Sequence, residues 1–145
     1  MQAVGHTAEE ARLIADHLID CELRGLSYGG LPRALSIVER ITKSPRRREP
    51  MHVEDKTAVS ALVHGGDNVG YLVAWKAIEL VIERAKTHGV AIIGANSTWY
   101  TGMIRRDVHH RIRASRFLQR LCKQTVDGAV YTPRCPCCGC RMIIF

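Results

Sequence analysis

Long apolar runs are missing from this chain. Nothing in its 145 residues approaches the roughly 18 consecutive apolar positions that a membrane-crossing helix needs. The segment Met1 to Glu10 has neither the basic nor the apolar region of a secretory signal. Both absences point to a cytoplasmic chain with no membrane association. Cysteine is scarce over most of the length, with Cys21 alone in residues 1–103, so a disulfide-stapled scaffold is excluded there. Aromatic residues make up 6% of the chain, and no Tyr or Trp lies between Ile104 and Gln124. What is present is ordinary for a folded domain: 46% hydrophobic and 24% charged residues exclude wholesale disorder. The length sets one domain as the ceiling.

Charge divides the chain in two. Acidic and basic residues balance in residues 1–103, so the whole net excess of +7 falls in residues 104–145. Cysteine shows the same step, because Cys122, Cys135, Cys137, Cys138 and Cys140 all lie in that second part. The expected organisation is a folded unit over residues 1–103 and a basic, Cys-rich, poorly ordered tail over residues 104–145.

The first part reads as alternating helices and strands. Thr7 and Glu10 have the spacing of a capping box, and Ala11, Ile14, Ala15, Leu18 and Cys21 follow as one apolar stripe. A helix is predicted over residues 8–24, ended by Gly25. Pro32 suits the first turn of a second helix that carries Leu35, Val38 and Ile41 on one face and stops before Ser44-Pro45. The run Arg46-Arg47-Arg48 reads as an exposed charged loop. Residues 52–63 suggest two short strands, with Ala58, Val59, Ala61, Leu62 and Val63 dense enough for burial on both faces. Gly65-Gly66-Asp67-Asn68 is expected to break them. A long helix over residues 69–88 follows, with Ala74, Ala77, Ile78, Val81, Ile82 and Ala85 inward and Glu79, Glu83, Arg84 and Lys86 outward. Val90-Ala91-Ile92-Ile93-Gly94 reads as a central strand. Strand, helix and strand in that order predict an α/β fold, helices packed on a short sheet.

Several strings recur together in one known family. Residues 15–25 (ADHLIDCELRG), residues 64–70 (HGGDNVG), Ala77 through Gly89, and Asn96-Ser97 occur in the order found in the malate/L-lactate dehydrogenases. The chain resembles the amino-terminal portion of that family over residues 1–103, through four ordered matches that span about 95 residues. The resemblance implies a non-Rossmann cofactor fold, usually dimeric, in a chain more than twice this length. It also implies NAD or NADP as cofactor and a 2-hydroxy or 2-oxo acid as substrate. Both ends of the matching region suggest a truncated copy.

The family's proton-handling positions are altered. Its pattern Arg-Gly-x-x-Ser-His-Gly-x-x-Arg corresponds without gaps to Arg24 through Arg33, which places Tyr28 and Gly29 at the Ser-His positions. Glycine transfers no proton. The second family histidine, in Asn-Ser-x-His, falls on Trp99. A tyrosine hydroxyl, of reference pKa about 10, can act as proton donor when a cation lowers it, and Arg24 or Arg33 would supply one. Tyr28 is therefore the candidate catalytic residue. Arg33 and Trp99 are candidates for substrate binding, Arg33 through a bidentate grip on a carboxylate. The resemblance marks no cofactor-binding residue. His17, His52, His64 and His88 share no spacing; His88 reads as a favourable charge at a helix end.

The tail offers two other chemistries. Residues 104–124 have the periodicity of a basic helix that could lie on nucleic acid, but without an aromatic stacking platform. Cys135, Cys137, Cys138 and Cys140 form two overlapping Cys-x-x-Cys pairs, the spacing that brings thiolates to zinc, with Cys122, His109 and His110 farther off. Four crowded sulfurs make a poor tetrahedron, so exposed free thiols are the simpler reading. A shifted coding frame past Met103 would account for the charge step, the cysteine step and the end of the resemblance together. Three functional readings follow. The first is an incomplete 2-hydroxyacid oxidoreductase of low or no activity. The others are a basic zinc- or nucleic-acid-binding module, and a non-catalytic partner of a complete homologue.

Overall fold

The computed structural model describes residues 1–43, 48–101 and 142–144. Short 3-10 turns at Gln2–Val4 and Ser27–Gly29 accompany helix α1 (Ala8–Leu23), helix α2 (Pro32–Lys43), strand β1 (His52–Thr57), strand β2 (Ser60–Val69), helix α3 (Gly70–His88), strand β3 (Ile92–Trp99) and a short strand β4 (Met142–Ile144). The α/β expectation holds. Strand order is β1-β2-β3-β4. β1 and β2 form an antiparallel hairpin, whereas α3 carries the chain across so that β2 and β3 run parallel.

The capping box forms as predicted: Glu10 N donates to Thr7 Oγ1 at 3.2 Å, and Thr7 N donates to a Glu10 carboxylate oxygen at 2.9 Å. These bonds satisfy two amides that the first helical turn leaves without partners. Val73, Ala77 and Ile78 of α3 cover one face of the sheet against Ala61, Val63, Ile93 and Ala95. A second cluster joins Ile14 and Leu18 of α1 to Ile37 of α2 and to Val69, Tyr71 and Leu72, where β2 passes into α3.

Four sequence expectations need correction. β2 does not stop at Gly65 but continues to Val69, with its pairing to β3 interrupted between His64 and Asn68. Burial in the hairpin is one-sided: β1 and Ala58 are exposed, and β2 buries alternate residues, Ala61, Val63 and Gly65. Charged Glu54, Asp55 and Lys56 suit β1 to its place at the sheet's edge. Leu35 is 76% exposed, because α2 turns Ala34, Ile37 and Ile41 toward the core instead. Arg84 does not face outward. Its guanidinium donates to the carbonyls of Thr57 and Ser60, both at 3.0 Å, and to the Asp55 carboxylate, tying α3 to the hairpin turn.

From the tail, the backbone of β4 pairs antiparallel with β3, Ile93 opposite Ile144 and Ala95 opposite Met142. Arg46, Arg47, the basic stretch 104–124, His109, His110 and Cys122, Cys135, Cys137, Cys138 and Cys140 lie outside the described residues. Among the described residues, no helix is long and apolar enough to cross a membrane, and no His, Cys, Asp or Glu cluster could hold a metal ion.

Candidate functional site

In open α/β sheets, ligands bind at the carboxyl ends of parallel strands. Here those ends are the segments around Asp67 and Trp99, and the backbone is unusual at both. Among the described residues, Asp67, Ser97 and Tyr100 are the non-glycine residues with positive φ, at 57°, 49° and 51°. Such conformations persist only where the surroundings hold them.

The hold on β2 can be accounted for carbonyl by carbonyl. Gly65 O accepts from Asn68 Nδ2 at 2.7 Å, and Gly66 O accepts from Glu49 N at 2.9 Å. Asp67 O accepts from Trp99 Nε1 at 2.9 Å, and Asn68 O accepts from Thr98 Oγ1 at 2.9 Å. Asn68 Nδ2 also donates to Glu49 O at 2.8 Å. Gly66 is required: its φ is 56°, and a Cβ there would lie 2.5 Å from Glu49 O.

Helix α2 is fastened to the end of β3 by two guanidinium-aromatic contacts. Arg33 lies 4.6 Å above the Tyr100 ring and Arg40 lies 4.6 Å above the Trp99 ring. The two arginines are seven residues apart, two helical turns, and so share one face. The rings meet edge to face at 5.2 Å.

Two cavities flank this ladder. One, of about 400 Å³, is lined by Cys21, Leu26, Tyr28, Gly29, Arg33, Tyr71 and Tyr100. The other, of about 60 Å³, is lined by Val4, His6, Arg40, Ile41, Arg48, Asp67, Val69 and Trp99. The predicted site residues thus divide. Tyr28 and Arg33 share the larger cavity, and Trp99 belongs to the smaller one with its indole N–H committed to Asp67. Tyr28 is 78% exposed at the rim. Arg24 Nε donates to Asp20 at 2.7 Å, which leaves Arg33 as the cation lining the Tyr28 cavity.

Sequence reasoning missed Arg40 and His6, and it read Arg48 as part of an exposed charged loop, whereas its side chain is half-buried against the amino-terminal turn. The Arg33 to Arg40 spacing was a readable signal. The contact between His6 and Arg48, 42 residues apart, was not. Arg48 Nη1 lies 2.5 Å from His6 Nδ1 and 3.3 Å from a Glu10 carboxylate oxygen, and Nη2 donates to Gly5 O at 2.7 Å. Burial, and then the Arg48 charge, hold the His6 imidazole below its usual pKa. Burial raises the Glu10 carboxyl, but the Thr7 amide, Arg48 and His6 together outweigh it, and the net shift is downward. Two other histidines prove related by the hairpin: His52 and His64 are cross-strand partners whose rings stack at 4.3 Å. His17 stacks on Tyr71 at 4.2 Å within the core.

A family model described as malate/L-lactate dehydrogenase matches residues 1–118. The malate/(S)-sulfolactate dehydrogenase of Methanothermus fervidus is 32% identical over 104 residues, 71% of this chain and 31% of the relative. The ureidoglycolate dehydrogenase (NAD(+)) of Escherichia coli K12 is 31% identical over 111 residues, 76% of this chain and 32% of the relative. Among solved structures, a dehydrogenase from Sinorhizobium meliloti superposes with a TM-score of 0.69 at 28% identity, covering 78% of this chain and 36% of that one. The malate dehydrogenase of Pyrococcus horikoshii OT3 shares the fold, with a TM-score of 0.72 at 24% identity, covering 78% and 33%. The chain spans about a third of the length of the curated relatives it matches.

Proposed function

The chain belongs to the malate/L-lactate dehydrogenase family, and from that premise we propose that it acts in the cytoplasm on a 2-hydroxy or 2-oxo acid, as a dehydrogenase-type site of very low turnover. The observation that carries this reading is the convergence of Tyr28 and Arg33 on one cavity of about 400 Å³ walled by Tyr71 and Tyr100. That volume suits a small organic acid. Arg33 can hold a carboxylate through two parallel N–H donors while its face rests on Tyr100. In this reading the Tyr28 hydroxyl, at the rim of the same cavity, hands a proton to the oxygen or nitrogen formed on reduction, or takes one in the reverse direction.

The cofactor of this reading is NAD or NADP, which supplies or accepts the hydride when bound. Among the described residues the cavity beside Arg33 has room for the acid, whereas the start of α3 offers no seat for the dinucleotide's pyrophosphate. A helix amino terminus is the usual seat of a pyrophosphate, but the first turn of α3 is closed: Gly70, Tyr71, Leu72 and Val73 are buried, and Thr101 packs on Gly70. The proton relay is also weak by the family's pattern, with Gly29 and Trp99 at the two histidine positions. Binding without efficient chemistry is the expected balance. Quenching of Trp fluorescence by a panel of 2-oxo acids should saturate, Arg33→Ala should weaken it about tenfold or more, and oxidation of reduced nicotinamide should stay at background. Fast turnover would overturn the low-activity assignment. Binding indifferent to Arg33→Ala would overturn the site.

A second reading, pairing with another copy of the chain, is favoured by the exposed apolar side chains at the end of α1, the following turn and α2: Leu23 (81%), Leu31 (53%) and Leu35 (76%). Exposed apolar clusters of this kind mark interfaces. Sedimentation equilibrium should find dimers, and Leu35→Glu should weaken association about tenfold or more without lowering thermal stability. Wild-type protein that sediments as a monomer at about 100 μM, far above the Kd of a stable interface, would exclude this reading.

A further inference from the structure

The cavity of about 60 Å³ has no role in the proposed acid site, and its walls divide by chemistry. Val4, Ile41, Val69 and the Trp99 ring are apolar, whereas His6, Arg40, Arg48 and Asp67 are polar or charged. His6 is only 5% exposed. Its Nδ1 lies 2.5 Å from a guanidinium nitrogen of Arg48. A guanidinium can only donate, so Nδ1 accepts and the ring proton resides on Nε2. That buried N–H has no partner among the described residues. A buried donor left in this state is an unfavourable contribution that a ligand oxygen would remove.

Arg40 supplies the second donor. Its guanidinium rests on the Trp99 face and reaches the Asp67 carboxylate only at 3.8 Å, too long for a hydrogen bond, so its N–H groups remain available to a ligand. Arg48 is different: both N–H groups of its Nη1 are directed at His6 and Glu10, and Nη2 donates to Gly5 O. Glu10 and Asp67 offset the two guanidinium charges, so a ligand gains here through directed hydrogen bonds, and each further negative charge adds repulsion from Asp67. A single carboxylate can use the His6 N–H and the Arg40 fork together. The volume exceeds what one water requires, about 10–15 Å³, and is small for an acid carrying a branched or charged chain.

We propose that this cavity binds a short monocarboxylate of acetate size, with its oxygens on His6 Nε2 and Arg40 and its methyl group against Val4, Ile41 and Val69. The site is separate from the Tyr28 and Arg33 cavity, so it stands or falls independently of the proposed function. The test follows the His6 Nε2–H resonance of the full-length ¹⁵N-labelled chain at pH 7.5 during titration with sodium acetate, sodium phosphate and sodium chloride at matched ionic strength. Acetate should move the resonance saturably, with a Kd on the order of 1–10 mM for so few contact atoms. Chloride and phosphate should not. Arg40→Gln, a change at a half-exposed side chain, should weaken acetate binding about tenfold, since it removes a charged donor. If acetate acts no differently from chloride, the site does not exist. If phosphate saturates it equally well, the monocarboxylate assignment is wrong. If Arg40→Gln binds acetate like the wild type, the assignment of Arg40 fails.

Discussion

Asn68→Asp, the exchange of one amide nitrogen for an oxygen, is expected to lower the unfolding free energy by about 3–5 kcal/mol near pH 7. Asn68 is 3% exposed, and its Nδ2 donates to both Glu49 O and Gly65 O. An aspartate there turns a carboxylate oxygen toward two carbonyl oxygens in a site water does not reach. The new carboxyl should resist ionisation, with a folded-state pKa above its unfolded value of about 3.9. The folded variant then binds more protons than the unfolded one above that value, so its stability is highest at low pH and falls as pH rises through the folded pKa. Urea unfolding at pH 4.5 and pH 7.5 checks both parts. Asn68→Ala is the comparator, losing about 2–3 kcal/mol at either pH because it orphans the carbonyls without adding charge. A variant within 1 kcal/mol of wild type at pH 7.5 would mean that the carbonyl accounting of the β2 bulge is wrong.

That bulge also marks the limit of what was legible in the sequence. Gly65-Gly66-Asp67-Asn68 signalled a local irregularity, and Gly66 and Asp67 do adopt positive φ. It did not signal whether the chain leaves the sheet. The strand continues because donors arrive from Glu49, Thr98 and Trp99, far along the chain, and no local pattern encodes them. α1 and α3 were legible because their determinants are local: a capping box, an apolar stripe and a glycine stop. For α2 the stripe was found but the wrong edge of it was assigned inward. Leu35 and Ala34 are consecutive, about 100° apart around the helix, and packing against the cluster of Ile14, Leu18, Tyr71 and Leu72 decides which of them turns inward.

The candidate site divides along the same line. Tyr28 and Arg33 lie five residues apart, and a single turn into α2 brings both to one cavity. Trp99 and Tyr100 are neighbours in sequence yet serve different cavities. Successive side chains at the end of an extended strand point to opposite faces, and the positive φ of Tyr100 turns its ring toward Arg33. The family pattern identified Trp99 as the occupant of a histidine position, but only the folded chain gives its indole a structural partner in Asp67.

Arg48→Met is expected to cost about 1–3 kcal/mol at pH 7.5 and to flatten the response of stability to mild acid. The loss arises because His6 Nδ1 and Gly5 O lose their donor, while the partly exposed contact to Glu10 adds little. In the wild type, burial and the Arg48 charge depress the His6 pKa below 6.5, so the unfolded chain takes up a proton that the folded chain refuses. His6 therefore lowers stability as pH falls through 6.5 toward the folded value. Glu10 acts in a lower window. Its folded pKa lies below 4.5, so its contribution persists above 4.5 and is lost as pH falls through the folded value. Between pH 7.5 and 5.5 the two do not overlap. In the Met variant the repelling cation is gone, and the Glu10 carboxylate, 3.4 Å from Nδ1, becomes the partner of a protonated ring. The His6 pKa must then rise, and the stability difference between variant and wild type should shrink steadily from pH 7.5 to 5.5. Guanidinium unfolding at pH 7.5, 6.5 and 5.5 measures it. Parallel curves would show that Arg48 does not set the protonation of His6, and that the tie between the amino-terminal turn and the approach to β1 is mechanical rather than electrostatic.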